Sequence, residues 1–297
     1  SGSSNGGGCW ERGRTGIDGG CGHCGIADNP WFDRFRPTLR CCAPALQGVH
    51  ASPMIDLHCH YLPGVDDGAQ TMDEGLALAR AAMDNGIREA VLTPHIHPGQ
   101  FDNTRSTLEP VFFEFRQRLL EEGIALEVSL GSEVRLLPES MELLTRGELP
   151  ILGQWGRQLA LLVELPHEQV PAGSLEALCY LRRRGIMPVL AHPERNKDVM
   201  RDWRRLQPFV ESGACQLQLT AGSVIGAFGK PAQQTARALL DAGWVSLIAT
   251  DAHNLRSRPP LLREAREAVT GWYGEEAAKL LTEVHPRRLL GKVVEPA

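Results

Sequence analysis

The chain has 297 residues, of which 42% are hydrophobic and 23% charged. That composition suits one large barrel or two small domains, and no apolar run reaches the roughly 18 residues of a membrane span. A formal net charge of -5 and a pI near 6.1 leave no global basic excess to hold a nucleic-acid backbone.

Residues 1–53 differ from the rest. They hold eleven of the 31 glycines, no lysine and no sustained helical or strand period. Such a stretch has little means of burying apolar surface, so a disordered extension is expected. Ser1-Gly2-Ser3-Ser4 resembles the scar of an expression tag, and Met54 is the expected natural start. No basic flank followed by an apolar core precedes it, so a cytoplasmic protein without membrane insertion is expected. Cys21-Gly-His-Cys24 matches a C-x-x-C pattern. It sits among glycines without a strand or helix signal, and chance is the favoured explanation. Cys59, Cys179 and Cys215 lie in apolar settings and read as small core residues.

From Met54 onward strand and helix patterns alternate. Strands are expected at 54–60, 89–95, 126–133, 159–164, 187–192, 215–220 and 245–251. Between them helices are expected from a Thr71 or Asp73 cap to Gly86, then at 105–122, 139–145, 174–184, 202–212 and 231–242. Two more, near 259–270 and 274–283, finish the chain. The 105–122 helix should bury Leu108, Val111, Phe112, Phe115, Leu119 and Leu120 on one face. Alternation of this kind implies parallel β/α units, and continuous apolar strands imply cover on both faces. The expected fold is α/β, a closed or nearly closed β/α barrel with its site at the C-terminal strand ends.

Those strand ends carry the chemistry. Ile55-Asp56-Leu57-His58-Cys59-His60 closes on a His-x-His pair, and residues two apart on a strand share a face. Later apolar runs close on His95, His192, and Asp251 with His253. With Asp67, Glu133 and Glu164 the candidates number nine: His58, His60, Asp67, His95, Glu133, Glu164, His192, Asp251 and His253. Asp66 reads as a turn residue beside the ligand Asp67. Glu164 follows five apolar residues, and a buried glutamate is costly unless paired or metal-bound. His97 and His167 read as ordinary hydrogen-bonded residues. An imidazole and carboxylate set without cysteine suits Mn²⁺, Fe²⁺, Co²⁺ or Zn²⁺. Nine groups exceed the needs of one ion, so two or three ions are expected; ions about 4 Å apart clamp a phosphoryl group and activate water. Arg195 and Arg258 flank these segments and offer planar forks for phosphate oxygens, with surface ion pairing the equal alternative. Lys197, Arg201, Arg204 and Arg205 add nearby charge that also fits a solvated face.

Asp56-x-His58-x-His60, Asp66-Asp67-Gly68, Thr93-Pro94-His95, Gly131-Ser132-Glu133-Val134, Val163-Glu164, Ala191-His192-Pro193-Glu194-Arg195 and Thr250-Asp251-Ala252-His253-Asn254 together resemble the polymerase-and-histidinol-phosphatase (PHP) superfamily. Within it the chain is similar to the manganese-dependent protein-tyrosine phosphatases of bacterial capsule and exopolysaccharide loci, from about Met54 to Leu290. The resemblance implies a distorted seven-stranded β/α barrel over 54–297 and a trinuclear centre held by the nine residues above. It implies phosphate binding by Arg195 and Arg258 and hydrolysis of phosphotyrosine on a cognate tyrosine autokinase. His253 is a candidate proton donor to the departing phenolate. Three other readings compete: a small-molecule phosphatase of the histidinol-phosphate type, an amidohydrolase, and a catalytically silent kinase-docking module. No strand end carries the lysine that many amidohydrolases modify.

Overall fold

The computed structural model describes residues 53–291. The reading of residues 1–53 as an extension, and the Cys21–Cys24 pair within it, fall outside these residues save for Pro53.

The first strand, β1 (Met54–Cys59), is buried along its whole length. It pairs in parallel with β2 (Ile87–Leu92), which pairs with β4 (Glu127–Leu130). A second sheet begins at β3 (His95–Ile96) and runs through β5 (Glu133–Arg135) and β7 (Gln158–Glu164). It continues through β8 (Ile186–Ala191) and β9 (Gln216–Thr220) to β10 (Val245–Ala249). Every one of these pairings is parallel. A short hairpin strand, β6 (Gly153–Trp155), adds an antiparallel pairing, on β7.

Two of the expected strands are therefore split. The 89–95 run breaks between β2 and β3 at Thr93-Pro94, where proline has no amide hydrogen for the ladder. The 126–133 run breaks between β4 and β5 at Gly131-Ser132, where a Cβ on Gly131 would come within 2.7 Å of Val91. Each first half belongs to one sheet and each second half to the other. Single backbone hydrogen bonds link across the breaks: Thr93 N–H to the Cys59 carbonyl (2.8 Å), Gly131 N–H to Leu92 (2.8 Å) and Glu133 N–H to Pro94 (3.1 Å). At the opposite edge Asp251 N–H donates to the His58 carbonyl (2.7 Å) and His60 N–H to Ala252 (2.9 Å). The architecture is thus α/β with two parallel sheets, and the strands are shorter and more numerous than the seven expected.

Period-two alternation divides the core. Ile55 and Leu57 of β1, Ala160 and Leu162 of β7, Val189 and Ala191 of β8, and Leu247 and Ala249 of β10 share one inner cluster. Leu161, Val163, Leu190 and Ile248 face the helices in a larger outer cluster. Glu164 stands two residues beyond Leu162 and Asp251 two beyond Ala249, so both extend the inner face.

The helical shell follows the sequence with instructive exceptions. Helix α1 (Met72–Asp84) is capped by Thr71, whose side chain accepts from Glu74 N–H. Helix α2 (Arg105–Glu121) buries Leu108, Phe112, Phe115 and Leu119, whereas Leu120 is 70% exposed and not on the buried face as expected. The expected 202–212 helix is two pieces: a 3₁₀ turn (Trp203–Leu206) and α6 (Gln207–Glu211), behind α5 (Lys197–Arg201). Asp202, extended at φ -151°, caps the turn, and Pro208 starts the last piece. The helices numbered between are α3 (Pro138–Thr145) and α4 (Ser174–Arg183). A four-residue helix α7 (Ala221–Val224) was not expected and precedes α8 (Lys230–Asp241).

Asp56 ties the chain's first strand to its last. Its carboxylate accepts from Thr250 N–H (2.9 Å) and Thr250 Oγ1–H (2.5 Å), and it is fully buried. Asp56→Ala would leave both donors buried without a partner, at about 1–3 kcal/mol each before relaxation. The expected outcome is a loss of about 2–3 kcal/mol in urea unfolding; a loss below about 0.5 kcal/mol would show that this tie carries little.

Candidate metal centre

The His-x-His pair converges as its strand position requires: the Nε2 atoms of His58 and His60 lie 3.1 Å apart. What orients the rings is on their outer side. Gln218 Nε2–H donates to the Leu219 carbonyl, which turns its Oε1 toward His58 to accept from Nδ1 (2.9 Å). His60 Nδ1–H donates to Asp66 Oδ2 (2.7 Å), and His253 Nδ1–H to the Asp251 carbonyl (3.0 Å). A neutral ring whose proton is spent outward presents a lone pair inward. Three such nitrogens face the centre when the rings are neutral, although the carboxylates around His58 and His60 raise both rings above the ordinary imidazole value.

Carboxylate oxygens meet them there. Glu133 Oε2 stands 3.1 Å from His58 Nε2 and 3.2 Å from His95 Nδ1. Asp251 Oδ1 lies 3.3 Å from His58 Nε2 and 3.4 Å from His60 Nε2. Asp67 Oδ1 is 3.3 Å from both His95 Nε2 and His253 Nε2. Glu133 Oε1 takes a 2.8 Å bond from His192 Nε2, whose ring lies 3.9 Å from Glu164 Oε1. Asp251 Oδ1 and His253 Nε2 are buried without a hydrogen-bond partner. Lone pairs set against carboxylate oxygens repel, so this arrangement calls for positive charge at its centre. Among the described residues four overlapping groups could hold a metal ion: His60, Asp67, His95 and His253; His58, His60, Glu133 and Asp251; His95, Glu133 and Glu164; and Glu164, His167 and His192. The nitrogen and oxygen donors fit divalent ions of the kind the sequence suggested.

Asp66 and Asp67 divide their work. Asp66 is buried and accepts from His60 Nδ1, His95 N–H (2.9 Å) and Gly68 N–H (2.9 Å), holding the loop. Asp67, its side chain 52% exposed, alone points to the cluster.

Electrostatics sort the groups. Burial, aided by the Arg195 charge, pushes His192 down to about 3. Burial and the facing His60 ring push His253 down to about 4, so both rings are neutral donors. Burial alone would raise the Asp251 carboxyl, but His58 and Arg258 outweigh it and hold the group well below the usual carboxylate range. Burial and the neighbouring Glu133 push Glu164 up to about 7. His192 (φ 33°) and Asp251 (φ 52°) are the two non-glycine residues with positive φ among those described. Strained backbone of this kind costs of order 1–3 kcal/mol and concentrates at functional sites.

Both arginines reach the cluster. Arg195 and Arg258 each donate to Asp251 Oδ2. Beside them opens a cavity of about 240 Å³, whose wall also includes His95, Phe101, Arg135, Glu164 and His192. All nine expected ligands and both arginines thus fall in one place. His97 and His167, read from the sequence as ordinary hydrogen-bonded residues, both line the cavity, and His167 stacks on His192 with ring centroids 5.7 Å apart. Sequence reasoning missed Arg135, 3.0 Å from Glu164 Oε2, and Phe101, stacked on His95 at 5.4 Å. Arg135 sits two residues past Glu133 on β5, a strand-position signal that was available.

Two curated proteins and one solved structure are similar to this chain. The chain is 35% identical over 230 residues to the tyrosine-protein phosphatase YwqE of Bacillus subtilis, covering 77% of this chain and 89% of that protein. It is 29% identical over 245 residues to the tyrosine-protein phosphatase CpsB of Streptococcus pneumoniae, covering 80% and 98%. A crystal structure from work on YwqE of Bacillus subtilis and CpsB of Streptococcus pneumoniae, described as unique metal-dependent tyrosine phosphatases, superposes with a TM-score of 0.74 at 33% identity. That match covers 81% of this chain and 96% of the other. Residues 54–291 match the family described as capsular polysaccharide synthesis, CpsB/CapC. The chain belongs to the CpsB/CapC capsular polysaccharide synthesis family.

Proposed function

We propose that this protein is a metal-dependent protein-tyrosine phosphatase acting in the cytoplasm on a bacterial tyrosine autokinase of capsule or exopolysaccharide synthesis. The observation that carries the reading is the meeting of two guanidinium groups on one carboxylate oxygen at the edge of a buried imidazole and carboxylate cluster. The relatives named tyrosine-protein phosphatases support the substrate class. The fold reading that accompanies it is a distorted seven-stranded barrel, with β2–β3 and β4–β5 each counted as one interrupted strand.

His58, His60, Asp67, His95, Glu133, Glu164, His192, Asp251 and His253 would hold two or three ions, Mn²⁺ first, with Fe²⁺, Co²⁺ or Zn²⁺ as alternatives. When bound, such ions supply Lewis acidity toward phosphoryl oxygens and make water a nucleophile at neutral pH. The chain's own residues do the rest. Arg195 and Arg258 present a pair of forks to phosphate oxygens. Phe101, stacked on His95, gives the cavity an apolar wall against which an aromatic ring can lie. His253, read from the sequence as a candidate proton donor, has its ring proton on Nδ1 bonded to the Asp251 carbonyl and is pushed down to about 4, so it serves as an inward ligand nitrogen near Asp67 and not as the acid. A phenolate, with a pKa about 10, leaves without strong acid assistance.

The decisive experiment strips metal from the protein and restores Mn²⁺, Co²⁺, Fe²⁺, Zn²⁺ or Mg²⁺ separately. Hydrolysis of p-nitrophenyl phosphate, a phosphotyrosine peptide and histidinol phosphate is then compared. Manganese-restored activity that favours the peptide is expected; preference for histidinol phosphate would overturn the assignment. Three variants separate the roles. His58→Ala should lose bound metal and at least about 100-fold in turnover. Asp66→Asn should weaken metal affinity roughly 10- to 100-fold, because His60 loses the carboxylate that sets its tautomer. Arg195→Ala should raise KM roughly 10- to 100-fold with metal content intact, since a charged hydrogen bond is lost without a ligand. Loss of metal in that last variant would contradict the arginine's role.

A further inference from the structure

The two arginines pose a problem of their own. Two like charges converge on one oxygen, and among the described residues Asp251 is the one carboxylate within ion-pair distance of either guanidinium. Arg258 Nε is buried without a hydrogen-bond partner. Asp251 Oδ1 faces the ligand cluster while Oδ2 takes both guanidinium groups, so its charge is shared and the two forks need a second hold beside it.

Phe228 is in that position. Arg195 Cζ lies 4.4 Å from the centre of its ring, and Arg258 Cζ lies 5.9 Å from the same ring. Both distances fall within the range in which a ring face attracts a cation. The segment that presents the ring is built tightly. Ala227 N–H donates to the Gly222 carbonyl (2.8 Å) and Gly229 N–H to Gly226 (3.0 Å). Gly226 (φ 85°) and Gly229 (φ 86°) bracket Phe228 in a conformation that other side chains resist. On α7, Gly222 lets the ring lie flat: a Cβ there would come within 2.6 Å of Phe228 Cε2. The ring is also only half-buried, in a side cleft that it lines with Arg195, Met200 and Ala232.

We propose that Phe228 is a positioning residue, a shared aromatic platform that holds Arg195 and Arg258 side by side in the geometry that receives the phosphate. The proposal rests on the phosphatase reading. Phe228 touches neither ligand cluster nor reacting atoms; it acts through the two guanidinium groups. The attraction is worth most where the cations are desolvated, which the partly buried arginines satisfy.

The test uses full-length protein loaded with Mn²⁺ and titrated with inorganic phosphate by calorimetry, with p-nitrophenyl phosphate kinetics in parallel. Phe228→Leu keeps apolar bulk but removes the ring face. It should weaken phosphate binding and raise KM roughly three- to tenfold, with kcat falling by a smaller factor. Bound manganese and melting temperature should match the wild type. Phe228→Tyr should restore phosphate affinity. Gly222→Ala, which leaves Phe228 in place but displaces its ring, should reproduce the leucine variant's defect. Unchanged phosphate affinity in Phe228→Leu would overturn the platform while leaving the phosphatase reading intact. Loss of manganese or of folding in Phe228→Leu would make the ring structural and overturn it equally. A wild-type protein that hydrolyses no phosphomonoester and binds no phosphate would fail at the proposed function, and the platform would fall with it.

Discussion

Three carboxylates buried within reach of one another govern this molecule. Glu133, Glu164 and Asp251 are each 2% exposed or less. Removing a carboxylate from water costs several kcal/mol even after relaxation. No globular chain of marginal stability holds three such groups together without compensation. Here it comes from imidazoles, from two arginines on Asp251 and from Arg135 on Glu164. The chain therefore needs rigid strand ends to aim the partners, and an apolar mass large enough to offset the charge. The fully apolar inner and outer clusters are that mass.

Aim is set by backbone as much as by side chains. Asp251 comes from the end of β10, yet its N–H donates to His58 at the end of β1. Asp56 and Thr250 lock the same two segments one step below. These contacts join residues 194 positions apart, so the loop-closure entropy falls on the joint that completes the ligand set. The left-handed conformations at His192 and Asp251 belong to this joint. Each ends a strand with a sharp turn at the point where a side chain enters the cluster. The Arg195 N–H to His192 carbonyl bond (3.0 Å) and the Asp251–His58 bond hold these two turns.

How much of this was legible in the sequence depends on distance along the chain. The clustering of nine candidate ligands and two arginines could be read because almost all close or follow an apolar run, and strand periodicity fixes which side a strand end faces. Sheet division could not, because Thr93-Pro94 and Gly131-Ser132 interrupt pairing without changing the hydrophobic pattern. The 202–212 segment misled for a related reason: its apolar spacing is helical, while Asp202 and Pro208 act locally to break it. Leu120 looked buried beside Leu119 because adjacent residues at the edge of an apolar stripe cannot be told apart by period alone. Gln218-Leu219-Thr220-Ala221-Gly222-Ser223 and Phe228-Gly229-Lys230 stood out in the sequence as motifs resembling the family, but what Gln218 and Phe228 orient was beyond reach, since a residue that orients another reveals its role only through three-dimensional contact.

The cavity has a polarity that follows from chain order. Its anionic floor comes from strand ends, where apolar runs give out and carboxylates and imidazoles begin. Its cationic rim comes from the segments just after β8 and β10, which carry Arg195 and Arg258. Its aromatic wall comes from the loop after β3, where Phe101 lies on His95. A ligand with a dianionic head and an apolar aromatic body matches this order from rim to wall. A free phosphate would leave the wall unused, and an apolar ring without a phosphate would leave two guanidinium charges facing each other. The fit of head and body together, rather than the metal cluster alone, is what separates an aryl phosphate from the other phosphomonoesters such a cluster could cleave.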